Sequence, residues 1–195
     1  MPSTGIHLLV GYELNPHAPD AFWVGCFAPD HIEERAPKTK IHLRDVPDRL
    51  AALTALRDSV HMADPFERDW VLHLFTDRLW DEGLLAQYKN EYTGNDDSRD
   101  DWFLPYRSEL GITTDYLYGH MPWMREVQSR IQAVDVSAIQ TDLPVDKGML
   151  DAFRMHIGER FAHCSRDIQT GYYSMDVMRT FAKETATAFR DWMRG

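Results

Sequence analysis

Apolar positions along this chain recur every three or four residues and do not alternate. The pattern predicts an all-α protein. A first helix is expected over about residues 3–15, with Ser3 or Thr4 as its cap. The apolar run from Ala18 to Ala28 reads as a short second helix stopped by Pro29. The polar stretch Glu33 to Lys40 contains Pro37 and reads as a loop. Asp45-Val46-Pro47 reads as a helix start, because proline fits a first turn whose N–H groups lack partners anyway; Leu50, Leu53, Leu56 and Val60 follow at helical spacing. Asp64-Pro65 repeats that start and opens the longest expected helix, about 65–90, with Phe66, Trp70, Leu74, Leu84 and Leu85 as its apolar stripe. Further helices are expected over about 103–120, 122–135, 146–163 and 174–193, with Pro122 and Pro144 marking breaks. No internal repeat appears, and no alternating run is long enough for a sheet.

Length and composition narrow this to one domain. A chain of 195 residues with six Trp, eight Tyr and nine Phe can bury a large core without crosslinks. Residues 1–195 are therefore read as a single helical domain. The formal net charge of −10 argues against nucleic acid and against anionic membrane surfaces as partners. No stretch approaches the roughly 20 apolar residues of a membrane span. Cys26 and Cys164 both sit in apolar company and read as buried free thiols, which suits a reducing compartment. Met1-Pro2-Ser3-Thr4 has no basic start and the apolar run behind it is short, so a cytoplasmic location is expected. Homo-oligomerisation is left open.

The chemistry lies in the first half. His73 and Asp77, four residues apart in the long helix, share one face. That face also carries Trp70 and Trp80. A carboxylate on an apolar stripe must be paired or must bind a metal. Alone, the pair reads more readily as a hydrogen bond inside a packed helix than as a metal site. Asp30 follows the Pro29 break, and His42 sits in Lys40-Ile41-His42-Leu43 after the expected loop. Taken singly, each reads as a surface residue. Together, two histidines and two carboxylates from three segments form a set suited to a borderline divalent cation: zinc first, with iron or manganese also accepted. Among the other histidines, His31 reads as exposed and His17 as part of a turn. His156, Glu159 and His163 lie on successive turns, a spacing that would also suit a ligand, although a surface row is the plainer reading. Met121, Met124, Met149, Met155, Met175 and Met178 read as core filler.

The order His7, then Gly25-Cys26-Phe27-Ala28-Pro29-Asp30, then Ile41-His42-Leu43, then His73-Leu74-Phe75-Thr76-Asp77 resembles the zinc-dependent phospholipase C family. Leu74, Asp77 and Trp80 keep a Leu-x-x-Asp-x-x-Trp pattern shown by small intracellular relatives. The resemblance covers roughly residues 3–85 and leaves the last hundred unmatched. It implies a helical bundle of the phospholipase C/P1 nuclease type. It also implies that Asp30, His42, His73 and Asp77 ligate one ion, with His7 where the family holds a neighbouring one. The secreted enzymes use an N-terminal Trp amine and further histidines just after the helical motif; here Arg78-Leu79-Trp80-Asp81-Glu82 contains none. One ion is therefore expected, or two if His7 joins a second.

The expected function is metal-dependent hydrolysis of a small phosphoester, with Asp30 doubling as general base and Lys38, Lys40 and Arg44 supplying positive charge around His42. The acidic run Asp96 to Asp101, with Trp102, Phe103 and Tyr106, is expected to shape access. The alternative is a metal-stabilised helical binding or scaffold domain without turnover, since four protein ligands can close a tetrahedral site. No dinucleotide, phosphate-loop or serine-hydrolase motif is present.

Overall fold

The computed structural model describes residues 2–92, 99–164 and 172–195, with residues 99–101 described as backbone only. Among the described residues ten α-helices run in chain order: α1 Thr4–Leu14, α2 Asp20–Gly25, α3 Arg35–Ile41, α4 Arg49–Ser59, α5 Pro65–Glu82, α6 Leu84–Glu91, α7 Arg99–His120, α8 Pro122–Ala133, α9 Lys147–His163 and α10 Met175–Trp192. Two 3-10 turns, Ala28–His31 and Val136–Ala138, complete the order, and no strand occurs among the described residues. No described helix is long and apolar enough to cross a membrane.

Helix α5 is the axis of the fold. It packs against α1, α2, α4, α6 and α10. From Phe66 to Asp77 every residue except Arg68 is buried, so the expected single stripe is a helix enclosed on all sides. Helix α1 is likewise buried from Gly5 to Gly11. Helix α10 is the amphipathic counterpart: Met178, Ala182, Thr185, Ala186 and Phe189 face the core and the opposite side meets water. Of the methionines expected in the core, Met124 and Met178 are buried, whereas Met149 and Met155 are exposed.

Local chemistry sets the boundaries. Asp64 Oδ1 accepts from the Phe66 and Glu67 N–H groups and Pro65 opens α5, as its sequence predicts. The expected start at Asp45 moves to Arg49, where Asp48 Oδ1 accepts from the Ala51 N–H; Val46 precedes a proline and is biased toward extended backbone. The expected loop over Glu33 to Lys40 is largely helix α3. Its Pro37 falls in the first turn, where no N–H is required. The expected helix 65–90 breaks at Gly83 (φ −102°, ψ −97°), which separates α5 from α6. Cys26 is buried as expected and Cys164 is half-buried; neither is in a disulfide.

Helix α2 comes close to the backbone of α5 at Gly25. A Cβ on Gly25 would lie 2.5 Å from the Phe66 carbonyl oxygen, 3.0 Å from Asp69 Cβ and 3.2 Å from the Trp70 nitrogen. None of these atoms is the far end of a flexible side chain, so the helices would have to part. Gly25→Ala is expected to cost about 1–3 kcal/mol, read as a lowered denaturant midpoint at unchanged m-value. An unchanged midpoint would mean that the α2–α5 spacing is slack.

Candidate metal centre

Four separate segments deliver five side chains to one place. His7 comes from α1, Asp30 from the first 3-10 turn, His42 from the end of α3, and His73 with Asp77 from α5. The turn carrying Asp30 is built by Pro29, whose missing N–H is tolerated there; the Asp30 N–H donates to the Phe27 carbonyl at 2.9 Å. His42 caps α3. The Leu43 N–H then donates to the Lys40 carbonyl and the Arg44 N–H to the Thr39 carbonyl, both at 3.0 Å. This is a Schellman ending with Leu43, at φ 52°, in the left-handed position usually taken by glycine. The reversal sends His42 inward and brings Arg44 back over α5. Packing of Leu43 against the core offsets the backbone strain.

The donor atoms converge. His42 Nε2 lies 3.3 Å from His73 Nε2, 3.4 Å from Asp30 Oδ1 and 3.6 Å from Asp77 Oδ2. His73 Nε2 lies 4.0 Å from Asp30 Oδ2, and His7 Nε2 lies 3.4 Å from Asp77 Oδ1. Donors about 2.0–2.1 Å from a common tetrahedral centre are themselves roughly 3.3–3.4 Å apart. The spacing therefore matches the edges of a coordination polyhedron.

The tautomers point the same way. His42 Nδ1–H donates to the Lys38 carbonyl at 2.8 Å and His73 Nδ1–H to the Cys26 carbonyl at 2.7 Å. A carbonyl only accepts, so each ring carries a proton on Nδ1 and turns its Nε2 toward the other ring and toward two carboxylates. Two Nε2 atoms facing at 3.3 Å need a metal ion or a proton between them. A carbonyl-anchored Nδ1–H is also the usual support of a ligating histidine. His31 provides the contrast. It is buried, where exposure was expected, and its Nδ1–H donates to the Ala28 carbonyl; its Nε2, however, accepts from the Asp146 N–H at 3.2 Å. That ring is spent on joining the 3-10 turn to the start of α9.

His73 links two possible ligand sets. The two ligand triads, His7–Asp30–His73 and His42–His73–Asp77, share its single available lone pair. They are two views of one five-residue pocket. His7 stacks on His73 with ring centroids 3.7 Å apart, and neither of its nitrogens has a hydrogen-bond partner among the described residues. A buried imidazole left in that state is costly unless something coordinates it. The described residues thus hold buried His and Asp groups able to bind one metal ion.

Electrostatics keep Asp30 and Asp77 ionised and His73 neutral, the forms that a metal ion would take. Burial pushes the pKa of Asp30 upward, but the His42 contact, the His73 ring and the Lys38 ammonium overcome it and hold the carboxyl well below its ordinary range. Burial likewise opposes ionisation of Asp77, and contact with His7 and the neighbouring rings reverses it. Burial, with His7 alongside, lowers His73 to about 3, so it is neutral at physiological pH.

The charged groups around the buried cluster, Lys38, Arg44 and Asp81, are partly exposed. Lys38 Nζ lies 2.8 Å from Asp30 Oδ1 and Arg44 Nη2 lies 3.5 Å from Asp77 Oδ2, as expected of two of the flanking cations. Lys40 instead points to solvent as an exposed residue of α3. Two further residues join them. Asp81 Oδ2 pairs with Arg44 Nη2 at 2.7 Å and Arg49 Nη1 at 2.8 Å, and Arg49 Nη2 reaches within 3.8 Å of Asp77 Oδ2. Asp81 had a signal in the sequence: Asp69, His73, Asp77 and Asp81 form a file of four-residue steps along α5. Arg49 had none, since it reads as an ordinary surface cation beside a helix start.

Other expected participants fall elsewhere. His156, Glu159 and His163 are exposed and join no ligand group among the described residues. Tyr106 is buried and accepts a hydrogen bond from Trp80 Nε1 at 2.8 Å, while Trp102 packs on Phe103 and Tyr106. The acidic run at 96–98 lies outside the described residues, as do the side chains of 99–101. Comparison with known proteins gives no relative: no family model, no curated protein and no solved structure matches the chain.

Proposed function

We propose that this chain is a metal-dependent hydrolase that acts on a phosphoester. The observation that carries the reading is the pair of carbonyl-anchored imidazoles whose Nε2 atoms face each other at 3.3 Å between two ionised carboxylates. The sequence order shared with zinc-dependent phospholipases C supports it, and so does the helical architecture, which is compatible with the phospholipase C/P1 nuclease type. Zinc is the favoured ion. Three imidazoles and two carboxylates suit iron and manganese as well, since carboxylates let the coordination number rise. A bound ion would polarise a phosphoryl oxygen and acidify a water.

The protein's own groups do the rest. His73 and His42 are locked by the Cys26 and Lys38 carbonyls, so they need no reorientation when charge develops. Asp30 stands at the solvent side of the cluster with Lys38 against it, placed to take a proton from the attacking water. Lys38 and Arg44 add positive charge where a phosphoryl group would arrive.

Asp30→Asn is expected to retain part of the metal and to lose about 10²-fold or more in kcat, because an amide coordinates weakly but cannot accept the proton. The measurement is turnover of a panel of phosphomonoesters and phosphodiesters by protein loaded with zinc, manganese or iron. If no phosphoester, ester or amide turns over with any of these ions, the site is a closed structural one and the domain is a metal-stabilised scaffold.

A further inference from the structure

We propose that Arg44 and Arg49 form an anion-binding arm beside the metal pocket that selects a phosphomonoester dianion over a phosphodiester, with Asp81 as the resident carboxylate that the substrate displaces. This rests on the metal-hydrolase reading above and names its substrate class.

Charge is the first argument. Lys38, Arg44 and Arg49 balance Asp30, Asp77 and Asp81 around the pocket, so the neighbourhood without an ion is neutral. A divalent ion would leave it with two positive charges. Displacement of Asp81 raises this to three. A phosphomonoester carries two negative charges near neutral pH and offsets most of it; a diester carries one. The second argument is the number of acceptors. Arg44 Nη2 and Arg49 Nη2 lie 3.5 and 3.8 Å from the same Asp77 oxygen, which is itself 3.6 Å from His42 Nε2. Both guanidinium groups are therefore one oxygen atom away from the ligand cluster. With one phosphoryl oxygen on the ion, a monoester has two terminal oxygens left, one for each guanidinium. A diester has one.

Asp81 shows that the arm accepts an oxyanion. Its Oδ2 is held by both arginines at once, at 2.7 and 2.8 Å. Its side chain is partly exposed and can swing to solvent. Arg49 Nε and Nη2, both buried, have no hydrogen-bond acceptor among the described residues and would gain acceptors from a bound phosphoryl group.

The test uses the full chain loaded with zinc, with metal content measured for every sample and methyl phosphate and dimethyl phosphate titrated by calorimetry. Methyl phosphate is expected to bind at least about tenfold more tightly than dimethyl phosphate, a comparison that needs no variant. Arg44→Gln and Arg49→Gln should each weaken methyl phosphate by about tenfold with metal retained, as for loss of a charge-assisted hydrogen bond. Asp81→Asn should tighten it. Equal affinity for the two esters, or arginine variants that keep both metal and affinity, would overturn this proposal alone. Failure of the unmodified protein to take up metal would overturn it together with the hydrolase reading.

Discussion

Removing the metal from the purified protein is expected to lower its melting temperature by about 10 °C. An ion present at 1,000 times its dissociation constant stabilises the folded state by about 4 kcal/mol. For a chain of this size each kcal/mol moves the midpoint by roughly 2–4 °C. The structural reason is the cost of the cluster once its ion is removed. His7, His42, His73 and Asp77 are almost fully buried, and two imidazoles and two carboxylates would then be left with Lys38, Arg44 and Arg49 as the only cations against them among the described residues. Protons are a poor substitute. His73 refuses one down to about pH 3, whereas the same side chain in the unfolded chain takes one near pH 6.5. The unfolded state therefore binds more protons throughout that interval, and stability falls as pH falls from about 6.5 toward 3. Asp30 and Asp77, held below their ordinary range, contribute stability that is present above about pH 3.9 and is lost only as pH falls through their folded values. Scanning calorimetry of zinc-loaded and chelator-treated protein at neutral pH checks this. Coincident melting curves would mean that the cluster is stable without an ion.

Much of this centre was readable in the sequence because its strongest parts are local. Asp64-Pro65 is a helix start whose cap and proline act within one turn, and the spacing of His73 and Asp77 follows from helix geometry alone. His42 and Asp30 were legible only through their order along the chain, since nothing near either one separates a ligand from a surface residue. The errors came where one residue type has two meanings. Pro37 looked like a loop marker, but proline in a first turn costs nothing, and α3 forms around it. His31 looked exposed because its partners, the Ala28 carbonyl three residues back and the Asp146 N–H far along the chain, are backbone groups that carry no side-chain signal. Gly83 lay inside a helical pattern that gave no cue to the break it makes. Arg49 and Asp81 meet across the gap between α4 and α5, and only tertiary packing brings them together.

His73→Ala is expected to weaken metal binding by at least about hundredfold, the largest effect of any single substitution in the cluster. His73 is the residue common to both ligand triads, and its Nε2 faces His42 at 3.3 Å and Asp30 at 4.0 Å. Its Nδ1–H is committed to the Cys26 carbonyl, so no other group can take over its position without breaking that anchor. The substitution also leaves that carbonyl without its donor and unstacks His7, so some loss of stability will accompany the loss of metal. His31→Ala separates the two effects. That ring is equally buried and makes the same kind of Nδ1–H bond to a carbonyl, but its Nε2 accepts from the Asp146 N–H and takes no part in the cluster. Removing it should lower stability by a comparable amount, about 1–3 kcal/mol, and leave one equivalent of metal in place. Elemental analysis and competition with a chromophoric chelator, on both variants purified side by side, read the difference. Native metal content in His73→Ala, or equal loss from His31→Ala, would mean that the convergence of these side chains is packing and not coordination.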